Sequence, residues 1–125
     1  LLKDKAASMK GNLKQEIETI NGIQFLAKLV DLDATGIKDL SFEIGQEFDN
    51  SVLLFGAEIQ GKALLSCYVS KGLVASKGLN AGTIVRELGK YIQGGGGGQP
   101  FYATAGGKNP AGLQEALEKA KSYIL

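Results

Sequence analysis

Apolar residues recur at three- and four-residue steps from Leu2 through Ala6, Met9, Leu13 and Ile17 to Ile20, which predicts an amphipathic helix over residues 1–20. Gly11 weakens its middle by about 1 kcal/mol relative to alanine. The stripe is narrow, so it packs on the domain, continues a longer helical segment or meets a second copy of the chain. Asn21-Gly22 marks a turn, after which the period falls to two: Ile23, Phe25, Ala27 and Leu29 alternate with Gln24, Leu26 and Lys28, as in a strand. Thr35 is a candidate cap for a second helix with Ile37, Leu40, Ile44 and Phe48 on one face, ending at Asp49-Asn50. Residues 52–59 and 63–69 are apolar runs of strand length joined by Gln60-Gly61, and are expected to pair antiparallel.

Asn80 is a good cap for a third helix that turns Ile84, Val85, Leu88 and Ile92 inward, with Arg86 and Lys90 on a neighbouring face. That helix runs straight into five glycines. Residues 99–106 can be extended, and Asn109-Pro110 reads as a cap and first-turn proline opening a last helix with Leu113, Leu117, Ala120 and Ile124. This order predicts an α/β fold, its helices packed on a mixed, partly antiparallel sheet and preceded by an N-terminal helix. The expected division is a helical segment over residues 1–21 and a globular domain over residues 22–125.

The glycines need a cause. Glycine loses more backbone freedom on folding than any other residue, so a run of five opposes stability unless something requires bare main chain. A φ that other residues avoid is one such need; close approach of main-chain N–H groups to a ligand, a phosphate or another strand is the second. A slack linker is the alternative, but no serine dilutes the run and periodic apolar sequence flanks it. The charge distribution adds to the picture. Residues 1–59 hold six lysines against ten acidic residues, and residues 60–125 hold eight basic against three acidic, so the glycines lie in a half of charge +5 while the other half carries −4. A basic face is the usual footprint of a phosphate-bearing partner, although a mixed solvated surface has the same composition.

The chain has no histidine and one cysteine. It therefore has no zinc site of the usual Cys/His kind, no Cys-His or Ser-His relay and no intramolecular disulfide. Cys67 falls in an apolar strand and is expected to be buried and inert. One thiol and no signal peptide fit a cytoplasmic protein, and the start at Leu1-Leu2-Lys3 fits a piece of a longer one. No apolar stretch reaches the length of a transmembrane helix, so no membrane partner is expected. Two phosphate motifs fail on inspection. Gly107-Lys108 is followed by Asn109 instead of the Ser or Thr of a Walker loop, and the glycine run follows a helix where a dinucleotide fingerprint follows a strand.

The stretch Gly-Gly-Gly-Gly-Gly-Gln-Pro-Phe-Tyr-Ala-Thr-Ala-Gly-Gly-Lys resembles the C-terminal domain of alanyl-tRNA synthetases, a module also found, more divergently, behind DHH-type phosphoesterase domains. Gly94 to Gly98, Pro100, Phe101, Ala103, Ala105, Gly106, Gly107 and Lys108 match the pattern of that family. Gln99 replaces the usual arginine, which removes one phosphate-pairing side chain, and Tyr102-Ala103-Thr104 departs from the common acidic and glutamine positions. The resemblance implies a domain without a catalytic site of its own. It would contact the corner of tRNA, with tRNA-Ala as the expected partner, help the aminoacylation and editing centres act on one tRNA, and take part in dimerisation. ATP, magnesium and zinc are expected only in other domains of the parent enzyme, and no cofactor in this one.

The candidate RNA-binding residues are Lys77, Arg86, Lys90 and Lys108 for phosphates, the main chain of Gly94, Gly95, Gly96, Gly97 and Gly98 for close approach, and Gln99 or Tyr102 for a base or sugar. Lys108 is read as sitting just ahead of the last helix, where a cation is slightly unfavourable against the dipole, a misfit that favours a functional role. Two other readings stay open. One is the nucleic-acid-binding lobe of a DHH-type phosphoesterase or single-strand exonuclease; the other is a self-association module, a homodimer paired through the N-terminal helix.

Overall fold

The computed structural model describes residues 17–30, 33–48 and 50–123. Within them six strands form one sheet in the order β1-β2-β3-β4-β6-β5, with β1 at Glu18–Ile20, β2 at Ile23–Leu29, β3 at Ser51–Ile59, β4 at Lys62–Val69, β5 at Gly94–Gly98 and β6 at Tyr102–Gly107. Of these neighbours only β2 and β3 are parallel; every other pair is antiparallel. The expected α/β class with a mixed sheet is what forms.

Local chemistry sets the turns. Asn21 and Gly22 have φ of 53° and 80°, and Gln60 and Gly61 have 52° and 78°. Positive φ at both central residues is the two-residue hairpin turn whose twist suits the flanking strands. It closes Ile20 onto Ile23 and Ile59 onto Lys62. The first turn corrects the expected N-terminal helix: Glu18–Ile20 is strand, and the rest of that expectation, with its dimer contact, falls on residues 1–16, outside the described residues.

Helix α1 spans Ala34–Glu47 and crosses from β2 to the parallel β3. Its cap is Asp33, whose carboxylate accepts from the Gly36 N–H at 2.8 Å, so Thr35 lies inside the first turn; the helix stops at Glu47, with Phe48 already extended. A short helix, α2 at Lys71–Lys77, follows β4 and ends on Gly78 at φ 68°, an element without an expected counterpart. Helix α3 at Ala81–Leu88 is capped by Asn80, which accepts from the Thr83 N–H, and tightens into a 3-10 turn at Gly89–Ile92. The last helix, α4 at Leu113–Ala120, starts later than Asn109-Pro110 implied. Asn109 makes no side-chain cap; a 3-10 turn at Pro110–Gly112 intervenes.

Both faces of the sheet are covered. Leu26, Leu53, Phe55 and Ala57 pack with Ile37, Leu40 and Ile44 of α1. On the opposite face Phe25, Val52, Leu54, Leu65, Ala103 and Ala105 meet Ile84, Val85 and Leu88 of α3 and Leu113 and Leu117 of α4. Cys67 lies in this second layer, and burial pushes its thiol pKa far up, leaving it neutral. Among the described residues no helix is long and apolar enough to cross a membrane.

Candidate nucleic-acid interface

The glycine run is not a loop. Gln93, in the left-handed region at φ 56°, ends the 3-10 turn and delivers the chain into β5, the strand at the sheet's end. Glycine carries no strand propensity of its own, so this strand exists because β6 supplies a ladder, from Gly94 opposite Gly107 to Gly98 opposite Ala103.

Within the strand the glycines divide by parity. A Cβ on Gly94 would stand 1.9 Å from the Gly106 carbonyl oxygen, and one on Gly96 would stand 2.1 Å from that of Thr104. Gly98, at φ 157°, would bring a Cβ to 2.9 Å from Ala103 Cα. These three are glycine because the partner strand leaves no room. Gly95 has nothing within 4 Å of its would-be Cβ, and Gly97 has only the Arg86 guanidinium, at 3.9 Å. Available space gives no reason for those two.

Helix α3 and the 3-10 turn that follows it lie against the same strand through glycines of their own. A Cβ on Gly89 would come within 3.1 Å of Gly95 Cα, and one on Gly82 within 3.3 Å of the Gly98 carbonyl oxygen. This close packing is what carries Arg86, exposed on α3, to Gly97. At the other end of the hairpin Gly107 passes the Ile92 carbonyl, which accepts from the Asn109 N–H at 2.9 Å. Lys108, exposed, thus lies between the carbonyl end of the 89–92 turn and the 3-10 turn that leads into α4.

The structure joins some of the candidates and separates others. Arg86 and Gly97 are neighbours, while Lys90 in the 3-10 turn and Lys108 after β6 both flank the end of the hairpin where Gly94 pairs with Gly107. Lys77 is exposed at the end of α2, and Gln99 is exposed at the hairpin tip. Tyr102 is half-buried: its phenol oxygen accepts from the Ser66 hydroxyl at 3.0 Å, and its ring lies 5.3 Å from that of Phe42. Burial raises its pKa, with the Ser66 bond opposing in part. Phe42 in turn meets Tyr68 edge-on, in the space left by Gly45, where a Cβ would stand 2.3 Å from the Tyr68 ring. Sequence reasoning passed over Lys71, whose ammonium lies 5.5 Å from the centre of the Phe101 ring; it belongs to α2, a helix with one buried residue, Leu73, and hence almost no periodic signal.

The fold is an α/β domain whose sheet ends on a side-chain-free strand, with Arg86, Lys90 and Lys108 exposed around it. The DHHA1 domain profile matches residues 22–125, and the chain belongs to that family. It is 70% identical over 124 residues to an alanine–tRNA ligase of Christiangramia forsetii and 46% identical over 124 residues to that of Flavobacterium psychrophilum, in each case across 99% of this chain. It spans only 14% of the length of these relatives. The fold matches the C-Ala domain of the Aquifex aeolicus alanyl-tRNA synthetase at a TM-score of 0.77 and 24% identity, covering 86% of this chain and 96% of that one. The DHH domain of a member of the s1p family of ribosomal proteins shares the fold at a TM-score of 0.58 and 16% identity, over 98% of this chain and 31% of that one.

Proposed function

We propose that this chain is the tRNA-binding C-terminal domain of an alanyl-tRNA synthetase, acting in the cytoplasm to hold the corner of one tRNA while centres elsewhere in the parent enzyme aminoacylate and edit it. The observation that carries this reading is the placement of the Arg86 guanidinium beside the bare main chain at Gly97, next to a Gly95 that has room for a side chain and lacks one. A polynucleotide backbone needs such a surface: cations for its phosphates and a strand against which it lies without steric obstruction. The identity to alanine–tRNA ligases across nearly the whole chain supports the synthetase over the phosphoesterase lobe, while the DHH domain of the s1p-family protein is like it in fold alone.

In this reading the cations supply affinity without sequence preference, and the hairpin supplies fit. The test is binding of tRNA, single-stranded DNA and duplex DNA by the chain at two salt concentrations. Preference for tRNA with a negative salt slope is the expected result. Equal retention of all three, or none, would overturn it.

A further inference from the structure

We propose that Phe101, at the tip of the β5–β6 hairpin, stacks on an unpaired base of the bound RNA while Lys71 leaves its ring for a neighbouring phosphate. This rests on the tRNA-binding reading and names a contact within it. Phe101 is partly exposed and packs into neither hydrophobic cluster; its ring contact is with the Lys71 ammonium at 5.5 Å. The part of the Phe101 ring left open lies outside both clusters with the Lys71 ammonium over it, an aromatic face that a flat ring can share.

The tip holds that ring in place before any ligand arrives. Val69 N–H donates to the Phe101 carbonyl at 2.9 Å, Gln99 N–H to the Tyr102 carbonyl at 2.9 Å, and Ala81 N–H to the Pro100 carbonyl at 2.8 Å. These bonds tie the tip to β4, β6 and the start of α3, and none uses the Phe101 side chain. A base arriving there meets an aromatic face whose main chain is already ordered, which lowers the entropy cost of binding. Lys71 on α2, at the tip, and Arg86 on α3, beside Gly97, meet no carboxylate among the described residues, so both cations are available for the phosphates flanking the stacked base. Aromatic stacking with adjacent cations is the chemistry of single-stranded or splayed nucleotides, since a paired base inside a helix offers no free face.

The experiment measures tRNA binding against salt concentration for the unaltered chain, Phe101→Leu, Phe101→Trp and Lys71→Ala, with thermal melting of each. Phe101→Leu is expected to bind about tenfold more weakly with an unchanged salt slope, and Phe101→Trp to bind as the unaltered chain does. Lys71→Ala is expected to lower the slope by about one. A fully paired RNA duplex should not distinguish Phe101→Leu from the unaltered chain. Binding of tRNA by Phe101→Leu within twofold of the unaltered chain would overturn the stacking contact while leaving tRNA binding intact, as would a loss matched by a fall in melting temperature that Phe101→Trp also shows. Failure of the unaltered chain to bind tRNA would instead remove the reading beneath it.

Discussion

Gly96 runs so close to Thr104 that a Cβ on it would stand 2.1 Å from the Thr104 carbonyl oxygen and 2.4 Å from Ala105 Cα. Both obstacles are main chain of a strand that is itself bonded to β4, so neither gives way cheaply. Gly96→Ala is therefore expected to cost about 2–3 kcal/mol of stability, by forcing β5 away from β6. Gly95→Ala, in open space and outside the left-handed region, is expected to change stability by at most about 0.5 kcal/mol. Urea unfolding of the two variants checks this contrast. Equal costs would mean that the division of the run by parity is wrong.

Tyr102 and Ser66 give a second test. Tyr102→Phe leaves the fully buried Ser66 hydroxyl without its acceptor, which is expected to cost about 1 kcal/mol at neutral pH. The pH dependence has a definite sign. Burial lifts the folded-state pKa of the phenol above its usual value near 10, so this group's stabilisation is complete below that pH and is lost as pH rises through the raised value. The gap between the unaltered chain and Tyr102→Phe should thus narrow above about pH 10. Unfolding free energies at about pH 8 and about pH 10.5 would show it, and a constant gap would contradict the assigned burial effect.

What the sequence disclosed depended on whether each cause was local. Alternation from Ile23 and the dense runs around Leu53 and Leu65 carried the sheet's centre, and Asn80 carried the start of α3. At residues 18–20 two local signals conflicted. The three- and four-step spacing through Ile17 and Ile20 reads as helix, yet Asn21-Gly22 is a hairpin turn that requires a strand before it, and the turn prevails because Ile20 has Ile23 to pair with. For β5 no local signal existed. Five glycines have neither propensity nor side chains, and the strand forms from pairing with residues about ten positions on. The candidate site was legible as a stretch, through its resemblance, but not in its parts: nothing in five identical letters separates Gly95 from Gly96, and Lys71 reaches Phe101 only through the fold.

Gln93 offers a stabilising change. It holds φ 56° and ψ 47° at the end of the 3-10 turn, with its N–H directed to the carbonyls of Gly89 and Lys90, a position that glycine fills without steric penalty. Gln93→Gly is expected to gain about 0.5 kcal/mol, the relief of left-handed backbone being partly offset by the greater freedom of glycine in the unfolded chain. Thermal melting decides the sign, and a lower melting temperature would show that the exposed glutamine side chain contributes more than its backbone costs.

The cations around the hairpin have different reasons to be where they are, and this makes them separable. Arg86 lies on the exposed face of α3 with the Gly97 main chain beside it and no carboxylate among the described residues, so Arg86→Ala should leave stability within about 0.5 kcal/mol while lowering the salt slope of tRNA binding by about one. Lys108 follows Gly107 next to the carbonyls that end the 89–92 turn, and has a structural role open to it as well as a phosphate. The double variant Lys90→Ala, Lys108→Ala should therefore weaken binding about equally for all tRNA sequences, lower the slope by about one for each phosphate no longer neutralised, and also reduce stability by a few tenths of a kcal/mol. If the double variant loses stability but keeps the full slope, the two lysines serve the turn, and the phosphates are held on the tip side of the hairpin, where Arg86 and Lys71 lie.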